Sequence, residues 1–408
     1  MDILFAITTG RADFKGTLDM MAENFDYFGH FEGNRIGLAV NYDCSFLGLQ
    51  DEDFVYKTGY SRLFQEVLYI GQKHVKEYVD LMTKCGIGYG LAQTLSQATG
   101  YSNKKNLVYM EAIKRGYDVV LFWDDDEYPL ACSLSDDLIS WLQTDILGAH
   151  ISAYTDFAAD VAFGFFTGYA SPVPLNLDQR FSGSTAYRLG DALSVASDVV
   201  DANTFIKTDQ IFKGLDGGCL KFKEIEPIDG GKWISGGNLS VRVDAVRKAV
   251  VPPFYAPPST RADDTILSMG LDNAKVIQVP AVIFHDAFGE YRSLKSKSYP
   301  GKLIRNSDVD THQVERFCGA LKGWLGYAPI MLRIRHGESF YSHIEKMMDR
   351  LELLDADLFR DLPEARKMFD GASSSDILRR FSENVETDFR TMRECYGAWE
   401  IFSRAKSI

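Results

Sequence analysis

Short apolar runs, each ending in polar residues, recur over about residues 1 to 290 of this chain. Runs of this length predict buried strands, because turn-forming residues bound them and buried helices are usually longer. The predicted strands cover residues 2–8, 36–40, 117–123, 150–154, 161–166 and 276–284. Residues 232–241, which read KWISGGNLSV, place a glycine-rich turn before a further apolar stretch.

Between these runs, apolar residues return at the three- and four-residue spacing of an amphipathic helix. This spacing predicts helices at about residues 16–28, 61–83, 107–115, 136–147 and 190–213. Ser102 or Asn103 can cap the third of these helices, and Gly116 can end it. Alternating strands and helices predict an α/β fold, in which polar residues at the carboxyl ends of parallel strands face the ligand crevice.

Residues 311–408 have a different pattern. Ile344, Met347, Leu351 and Leu354 lie at helical spacing among many charged residues. This pattern predicts a small helical domain after residue 310. We expect that domain to dock on the larger one, while self-association through its helices and contact with a membrane surface are the alternatives.

Composition narrows the class of protein. Of 408 residues, 46% are hydrophobic and 25% are charged, which allows a large buried core. The net charge of −13 argues against a nucleic-acid partner and against broad attraction to anionic membranes. Six scattered cysteines without a CxxC pair favour a reducing compartment. With no basic leader and no apolar run of membrane-span length, the sequence predicts a cytoplasmic protein and leaves peripheral membrane contact open.

An acidic turn follows the strand predicted at residues 117–123. It consists of Asp124, Asp125, Asp126 and Glu127. Adjacent carboxylates repel one another at a strand end, and a hard dication such as Mg²⁺ or Mn²⁺ relieves that repulsion. Residues two apart on an extended turn face the same way, so Asp124 and Asp126 can share one metal ion. The alternative is a solvated acidic turn without a ligand.

Four motifs in one order resemble those of the GT-A glycosyltransferases. Tyr117–Asp126 looks like the DxD strand of these enzymes, and Lys105-Asn106 looks like the basic-Asn pair that precedes it. Ser235–Arg242 is similar to their glycine-rich acceptor-side segment, and Arg261–Leu267 is similar to their ED-type motif at a helix start. The layout resembles that of the inverting family 2 enzymes, which include bacterial galactofuranosyltransferases.

The resemblance implies a GT-A fold, with a Rossmann-like nucleotide-binding part, a mixed, mostly parallel central sheet flanked by helices, and a C-terminal helical region. It implies a catalytic domain over residues 1–310, with a nucleotide-sugar half at about 1–128 and an acceptor half at about 129–310, and a helical domain at 311–408. The implied activity is metal-dependent transfer of a sugar, of hexosyltransferase type, from a UDP- or GDP-sugar to a hydroxyl acceptor. A glycan or glycolipid acceptor would place the enzyme in polysaccharide biosynthesis.

The resemblance also implies a metal site for Mn²⁺ or Mg²⁺. Asp126 would contact the ion most directly, and Asp124 would reach the ribose or the metal. His285, which follows a predicted strand, stands where several members supply a third metal ligand. The alternative for His285 is a hydrogen-bonded histidine in the core.

An inverting transfer needs a base that takes the proton of the acceptor hydroxyl. Asp264 is the predicted base, and its neighbour Asp263 is the second candidate. Asp263 can instead cap the helix that begins there. A retaining GT-A enzyme would not need this base, and the sequence leaves that mechanism open.

The donor is expected to bind at the carboxyl ends of the first strands. Thr8, Thr9 and Arg11 follow the first strand, and Asp43 follows the second. The glycines of the 235–242 segment allow the backbone to approach a ligand closely. The predicted donor-binding residues are Thr8, Thr9, Arg11, Asp43, Lys105, Asn106, Asp124, Asp125, Gly236, Gly237 and Asn238.

The chain departs from the family pattern at several points. Its first strand reads FAITTGRAD where these enzymes usually have a Pro-Thr-Tyr-Asn run, and Asp263 replaces the Glu of the ED motif. The Q/RxxRW signature of processive members is absent. The long segment between the acidic turn and Gly236 is expected to shape the acceptor pocket.

Three other classes compete with a glycosyltransferase. A Mg²⁺-dependent phosphoryl-transfer enzyme of the haloacid-dehalogenase type also has a DxD motif, but in its first strand. A nucleotidyltransferase needs a loop rich in glycine and basic residues after its first strand. The segment ITTGRADFKG bears only slight similarity to such a loop. A carbohydrate-binding protein without activity would have no use for both a metal triad and an Asp-Asp pair.

Overall fold

The computed structural model describes residues 1–99, 103–169, 171–197, 200–206, 212–215, 220–228, 230–261, 263–305 and 310–405. The strands are β1 Asp2–Thr9, β2 Arg35–Tyr42, β3 Val67–Ile70, β4 Val119–Asp124, β5 Glu127–Tyr128, β6 Ala131–Ser135, β7 Leu138–Leu142, β8 Val161–Tyr169, β9 Phe212–Lys213, β10 Lys223–Glu224, β11 Leu239–Arg242 and β12 Val276–His285. The helices are α1 Phe14–Tyr27, α2 His30–Gly33, α3 Gln72–Lys84, α4 Tyr89–Leu95, α5 Lys104–Arg115, α6 Ile146–Thr155, α7 Gly183–Leu193, α8 Val243–Arg247, α9 Asp263–Ser268, α10 Thr311–His336, α11 Phe340–Asp361, α12 Pro363–Met368, α13 Ser374–Ser382 and α14 Val385–Ser403.

A large mixed sheet forms the centre of the molecule, with the strand order β10-β12-β8-β11-β4-β1-β2-β3. Strands β4, β1, β2 and β3 are parallel, and β12 is parallel to β8. Strand β11 runs antiparallel to both of its neighbours, β4 and β8. All the longer strands except β11 therefore point the same way, which confirms the predicted α/β class with a mixed, mostly parallel sheet.

The apolar runs become strands because both faces of the sheet are covered. In β1, Ile3, Phe5 and Ile7 belong to the core on the α1 side, where the Phe5 and Phe25 ring centroids are 5.3 Å apart. Leu4 and Ala6 alternate with them and belong to the core on the α5 side. A strand that is buried on both faces needs a continuous apolar sequence, as β1 and β4 have.

Register brings the polar strand ends together. Thr8 of β1 lies opposite Asp124 of β4, and Thr9 lies opposite Tyr42 of β2. Strand β12, which lies beyond β11 and β8 in the strand order, ends at His285, and His285 pairs with Glu127 of β5. The acidic turn and the end of β12 therefore meet at one edge of the sheet.

The helix predicted at residues 61–83 is wrong in its first part. Residues Val67–Ile70 form the edge strand β3, in which Val67 lies opposite Leu38 of β2. Helix α3 begins only at Gln72, after Gly71 in an extended conformation. The apolar residues of β3 continued the helical spacing of α3 by coincidence, while pairing with β2 decided the backbone.

The helix predicted at residues 136–147 and the strand at 150–154 are also wrong. A hairpin of β6 and β7 occupies residues 131–142, and Asp136 in its turn has a φ of 53°. Helix α6 then covers Ile146–Thr155, with the Asp145 carboxylate accepting from Gly148 N at 2.8 Å. Both segments were misassigned because the apolar residues of α6, which pack on β12, do not show the spacing of an amphipathic helix.

The helix predicted at about 190–213 differs from the observed helix in its bounds, whereas the helix predicted at 107–115 ends where it was predicted to end. The helix predicted at about 190–213 begins earlier, as α7 at Gly183–Leu193, and residues 212–213 form β9. Residues 198–199 and 207–211 of that prediction lie outside the described ranges. Helix α5 ends at Gly116, whose φ of 72° confirms the predicted glycine stop, while Ser102 is not among the described residues.

Residues 311–405 are helical, as predicted. Helix α10 packs on α11, α12, α13 and α14, and the group contacts the α/β part through α11 on α7 and α14 on α4 and α8. Apolar residues of α10 and α14 share one continuous core with those of α5 and β4. No helix in the described ranges is long and apolar enough to cross a membrane.

Candidate active site

A cavity of about 1020 Å³ opens where β1, β4 and β12 end. It is large enough for a ligand of nucleotide-sugar size, since small-molecule sites typically have volumes of about 300–1,000 Å³. Its walls include residues from every predicted motif. The predicted residues that line it are Thr8, Lys105, Asp124, Gly236, Gly237, Asp263, Asp264 and His285.

Asp125 is tied to the loop that follows β1. Its carboxylate accepts from Thr9 Oγ1 at 2.6 Å and lies 2.5 Å from Arg11 Nη1. Burial and the charge of Asp126 raise its pKa to about 6, against the opposing effect of Arg11. Thr9, Arg11 and Asp125 therefore hold one another, and their predicted contacts with a donor stay predictions.

Asp126 is surrounded by three cationic or imidazole groups. Its carboxylate lies 3.8 Å from His285 Nε2, 3.3 Å from Arg11 Nη1 and 3.8 Å from Arg316 Nη2. Burial alone would raise the pKa of Asp126, yet it lies below its usual value because His285, Arg11 and Arg316 are close. Asp126 is therefore the carboxylate of the turn that stays ionised most readily.

The ring of His285 is oriented by a backbone carbonyl. The distance from Nδ1 to the oxygen of Tyr169 is 2.5 Å, and a carbonyl oxygen can only accept, so Nδ1 carries the proton. In the neutral ring the lone pair is then on Nε2, which faces Asp126. A metal-binding histidine has this arrangement, with one nitrogen donating to a carbonyl and the other directed at the ion.

Asp124 and Glu127 are buried beside each other. Burial raises the pKa of Asp124, with Asp126 and Asp263 adding to the effect and Lys105 opposing it. Burial and the charge of Asp124 raise the pKa of Glu127 well above its usual range, while Glu127 Oε2 accepts from Asp124 N at 3.2 Å. Burial therefore favours the neutral form of Glu127, and a neutral carboxyl adds less to the repulsion within the turn.

Asp126 and His285 form a converging pair of metal-ligand type, and Asp124 lies on the wall of the same cavity. Among the residues that the structure describes, no group of three or more His, Cys, Asp or Glu side chains is spaced to hold a metal ion. The chemistry of the pair fits a divalent cation, and the three-ligand set of Asp124, Asp126 and His285 stays a prediction.

The cavity wall also carries a buried ion pair. Lys105 Nζ lies 2.9 Å from Asp263 Oδ2, with side-chain exposures of 5% and 12%, and also donates to the Gly236 carbonyl at 3.3 Å. The next residue, Asp264, accepts from Thr265 N at 2.8 Å and lines the cavity. Burial and the charge of Asp263 raise the pKa of Asp264 to about 6, and Lys105 limits the increase.

Two glycines of the cavity lining, Gly236 and Gly237, make room for carboxylates. A Cβ at Gly237 would lie 1.8 Å from Glu127 Oε1, and one at Gly236 would lie 3.0 Å from Asp264 Oδ2. The close approach expected of this segment is therefore made by the protein's own acidic groups. Both glycines also remain on the cavity wall, where their backbone can meet a ligand.

Asn106, Asn238 and Asp43 bind the protein's own backbone or neighbouring side chains. Asn106 exchanges two hydrogen bonds with the backbone of Phe254, at 3.0 and 2.8 Å. Asn238 donates to the Phe165 and Ala281 carbonyls and has a φ of 47°. Asp43 Oδ1 accepts from the backbone N–H and hydroxyl of the residue two positions later. Their predicted contacts with a donor stay predictions.

The residues near the cavity that the sequence analysis missed include four with polar or charged side chains, namely Glu127, Lys104, Arg316 and Tyr327. Glu127 and Lys104 adjoin predicted residues, so their position in the motifs was the available signal. Lys104 is buried, and burial lowers its pKa against the effects of Asp43 and Asp124. Arg316 and Tyr327 belong to α10, and no local pattern connects that helix with the acidic turn.

Comparison with known proteins gives structural similarities only. No protein-family model matches the sequence, and no curated protein matches it. Among solved structures, S. aureus TarS 1–349 in complex with UDP-GlcNAc is similar, at 13% identity and a TM-score of 0.40, over 95% of this chain and 92% of that chain. The complex of TarS 1–349 with UDP gives 12% identity and a TM-score of 0.38 over the same shares. Similarity at this level says nothing about what this chain binds.

Proposed function

We propose that this chain is a GT-A-type glycosyltransferase, which transfers a sugar from a UDP- or GDP-sugar to a hydroxyl group of a glycan or glycolipid. One observation carries the proposal: a single cavity is lined by Asp124 of the acidic turn and by His285, and also by Asp264 and the Lys105–Asp263 pair. A group that binds a charged leaving group and a group that takes a proton are thus available to one substrate pair.

The proposed donor end consists of Asp124 and His285 on the cavity wall and Asp126 beside His285. When bound by these residues, Mn²⁺ or Mg²⁺ would stabilise the negative charge that develops on the departing diphosphate. Arg11 and Thr9 hold the turn in place from β1, and Thr8 lies beside Asp124 on the cavity wall. The ends of β1 and β4 would accordingly position the nucleotide.

The wall with Asp264 is the proposed acceptor end. An acceptor hydroxyl oxygen would form a bond to the anomeric carbon as the bond from that carbon to the diphosphate oxygen breaks. The electron pair of the broken bond leaves with the diphosphate, and the hydroxyl proton passes to the Asp264 carboxylate. A carboxylate with a pKa of about 6 is ionised at neutral pH and more basic than an ordinary aspartate. This route inverts the anomeric centre.

The proposal is tested by incubating the protein with UDP- and GDP-sugars in Mn²⁺, Mg²⁺ or EDTA. Release of nucleoside diphosphate from one donor, dependent on metal and lost in Asp126→Ala, is the expected result. Asp349→Asn, at an exposed position of α11, is the matched control and should behave as wild type. Release of phosphate from phosphate esters without any response to nucleotide sugars would instead favour a phosphoryl-transfer enzyme.

The stereochemical part needs its own measurement. Once an acceptor is found, the anomeric configuration of the first product formed can be followed by proton NMR. Inversion agrees with Asp264 as the base. Retention of configuration would remove that role and leave the alternative, a retaining GT-A enzyme.

A further inference from the structure

Helix α10 places one residue beside the acidic turn and another on the cavity wall. Arg316, near its start, lies beside Asp126, and Tyr327, further along, lines the cavity that Asp264 also lines. Eleven positions separate the two residues, which is about 16 Å along a helix axis. The C-terminal helical region therefore contributes a wall to the active site in addition to packing on the α/β part.

The N-terminal turns of α10 are fixed to the strand that ends in His285. Gln313 Nε2 donates to Glu290 Oε1 at 2.6 Å, and Glu290 also accepts from the Tyr169 hydroxyl. The Tyr169 carbonyl in turn accepts from His285 Nδ1. This series of hydrogen bonds holds the start of α10 in register with the donor end of the site.

Close packing fixes the middle of α10 to the segment that leads into α9. A Cβ at Gly323 would lie 3.3 Å from the Arg261 side chain, and one at Gly326 would lie 3.1 Å from Thr260 Cγ2. The absence of side chains at these positions lets the helix lie close to that segment. Two separated contacts thus define the position of Arg316 relative to the acidic turn.

The guanidinium groups of Arg11 and Arg316 lie at different distances from the carboxylates of the acidic turn. Arg11 Nη1 lies 2.5 Å from Asp125, which is hydrogen-bond distance, whereas Arg316 Nη2 lies 3.8 Å from Asp126, which is beyond it. The Arg316 side chain is 28% exposed, and its Cζ lies 5.9 Å from the ring centroid of Phe288. Arg316 therefore places a positive charge beside Asp126, on a side chain that is partly exposed.

A diphosphate entering beside three aspartates brings negative charge to a site that is already acidic. Guanidinium groups suit that ligand, because their planar fork can donate two hydrogen bonds to phosphate oxygens. We propose that Arg316 binds the diphosphate of the donor, so that α10 of the C-terminal region completes the donor site. This inference rests on the proposed function, since it assigns the cation that receives the leaving group.

The test compares ligands with and without the diphosphate. Binding of UDP, GDP, uridine and guanosine to the full chain is measured by ligand-observed NMR titration, in EDTA and in Mn²⁺. The variants are Arg316→Ala and Arg316→Lys, and the control is Arg390→Ala, at an exposed arginine of α14. Thermal unfolding of each variant shows whether it is folded as the wild type is.

Arg316→Ala should weaken binding of the nucleoside diphosphate about tenfold to a hundredfold, the range of one charge-assisted hydrogen-bonded contact. Binding of the matching nucleoside should not change, and Arg316→Lys should give an intermediate loss. The control should bind as wild type does.

Two results would overturn the inference while leaving the proposed function intact. One is unchanged diphosphate binding in Arg316→Ala, and the other is an equal loss for diphosphate and nucleoside, which would mean a purely structural role. A wild-type protein that binds no nucleoside diphosphate with any metal would remove the proposed function and this inference together.

Discussion

The proposed donor and acceptor ends of the site treat adjacent aspartates in opposite ways. At the donor end, Asp126 lies near Arg11, Arg316 and His285, and its pKa is lowered although burial acts in the other direction. At the acceptor end, Lys105 is paired directly with Asp263, and the neighbouring Asp264 keeps a pKa raised to about 6.

The two ends differ in which of two adjacent carboxylates lies next to the basic side chains. Several cations near Asp126 stabilise its charged form, as a residue that binds metal requires. One cation bound to Asp263 leaves Asp264 buried next to a negative neighbour, which strengthens it as a base. Similar short acidic sequences thus acquire different chemistry from the positions of basic side chains elsewhere in the chain.

Removing the donor-end carboxylate should have the largest effect. We expect Asp126→Ala to lower transfer by about a thousandfold, because it removes the group proposed to hold the charge-stabilising metal. Circular dichroism should show an unchanged fold, since Asp126 forms no part of the apolar core. Activity close to that of wild type would contradict the assignment of the donor end.

Neutralising the acceptor-end base should have the next largest effect. Asp264→Asn should reduce transfer at least about a hundredfold while the donor dissociation constant stays unchanged, since general base catalysis contributes about 10²–10⁴-fold. The separation of turnover from donor binding distinguishes it from Asp126→Ala. Normal turnover in this variant would exclude Asp264 as the base.

The glycines behind the two ends should differ in their effect on stability. Gly237→Ala places a Cβ 1.8 Å from the buried Glu127 carboxyl and should lower the free energy of unfolding by about 1–3 kcal/mol. Gly236→Ala has its nearest neighbour at 3.0 Å, on Asp264, and should cost less. Gly90→Ala in α4, where a Cβ meets nothing within 4 Å, is the control for helix propensity. Chemical denaturation measures all three, and equal losses would contradict the difference in packing.

The smallest expected effect is on the pH profile. Because the base must be ionised, kcat/KM should fall as the pH decreases through about 6, the pKa of Asp264. Lys105→Gln removes the charge that lowers this pKa, so the acid limb should move to higher pH. A limb that stays in place in this variant would show that Lys105 does not set the ionisation of Asp264.

Sequence patterns predicted the parts of the fold whose conformation follows from the residues of that segment itself. The runs that became β1, β4 and β12 are apolar on both faces, and the helical region after residue 310 repeats its spacing over many turns. The edge strand β3 and helix α6 were misassigned because pairing with β2 and packing on β12 decided them. These partners are distant in the sequence.

The candidate site likewise contains residues that local motifs pointed to and residues that only the packing of distant segments brings there. Asp124, His285 and Asp264 line one cavity, and Asp126 lies beside His285, so residues of separate motifs are close together. The amides of Asn106 and Asn238 hold backbone segments, and their predicted contacts with a donor stay predictions. Arg316 reaches Asp126 only through the packing of a helix that carries no recognisable motif.

The packing of α10 has a consequence for protein engineering. A shortened protein that ends after residue 310 would retain the DxD strand, His285 and the Asp263-Asp264 pair, and would look complete by its motifs. It would nevertheless expose the apolar surface that α5 shares with the C-terminal helices, and it would lack Arg316 and Tyr327. The boundary suggested by the sequence is therefore a poor place to cut, and domain exchange between related chains should carry α10 with the α/β part.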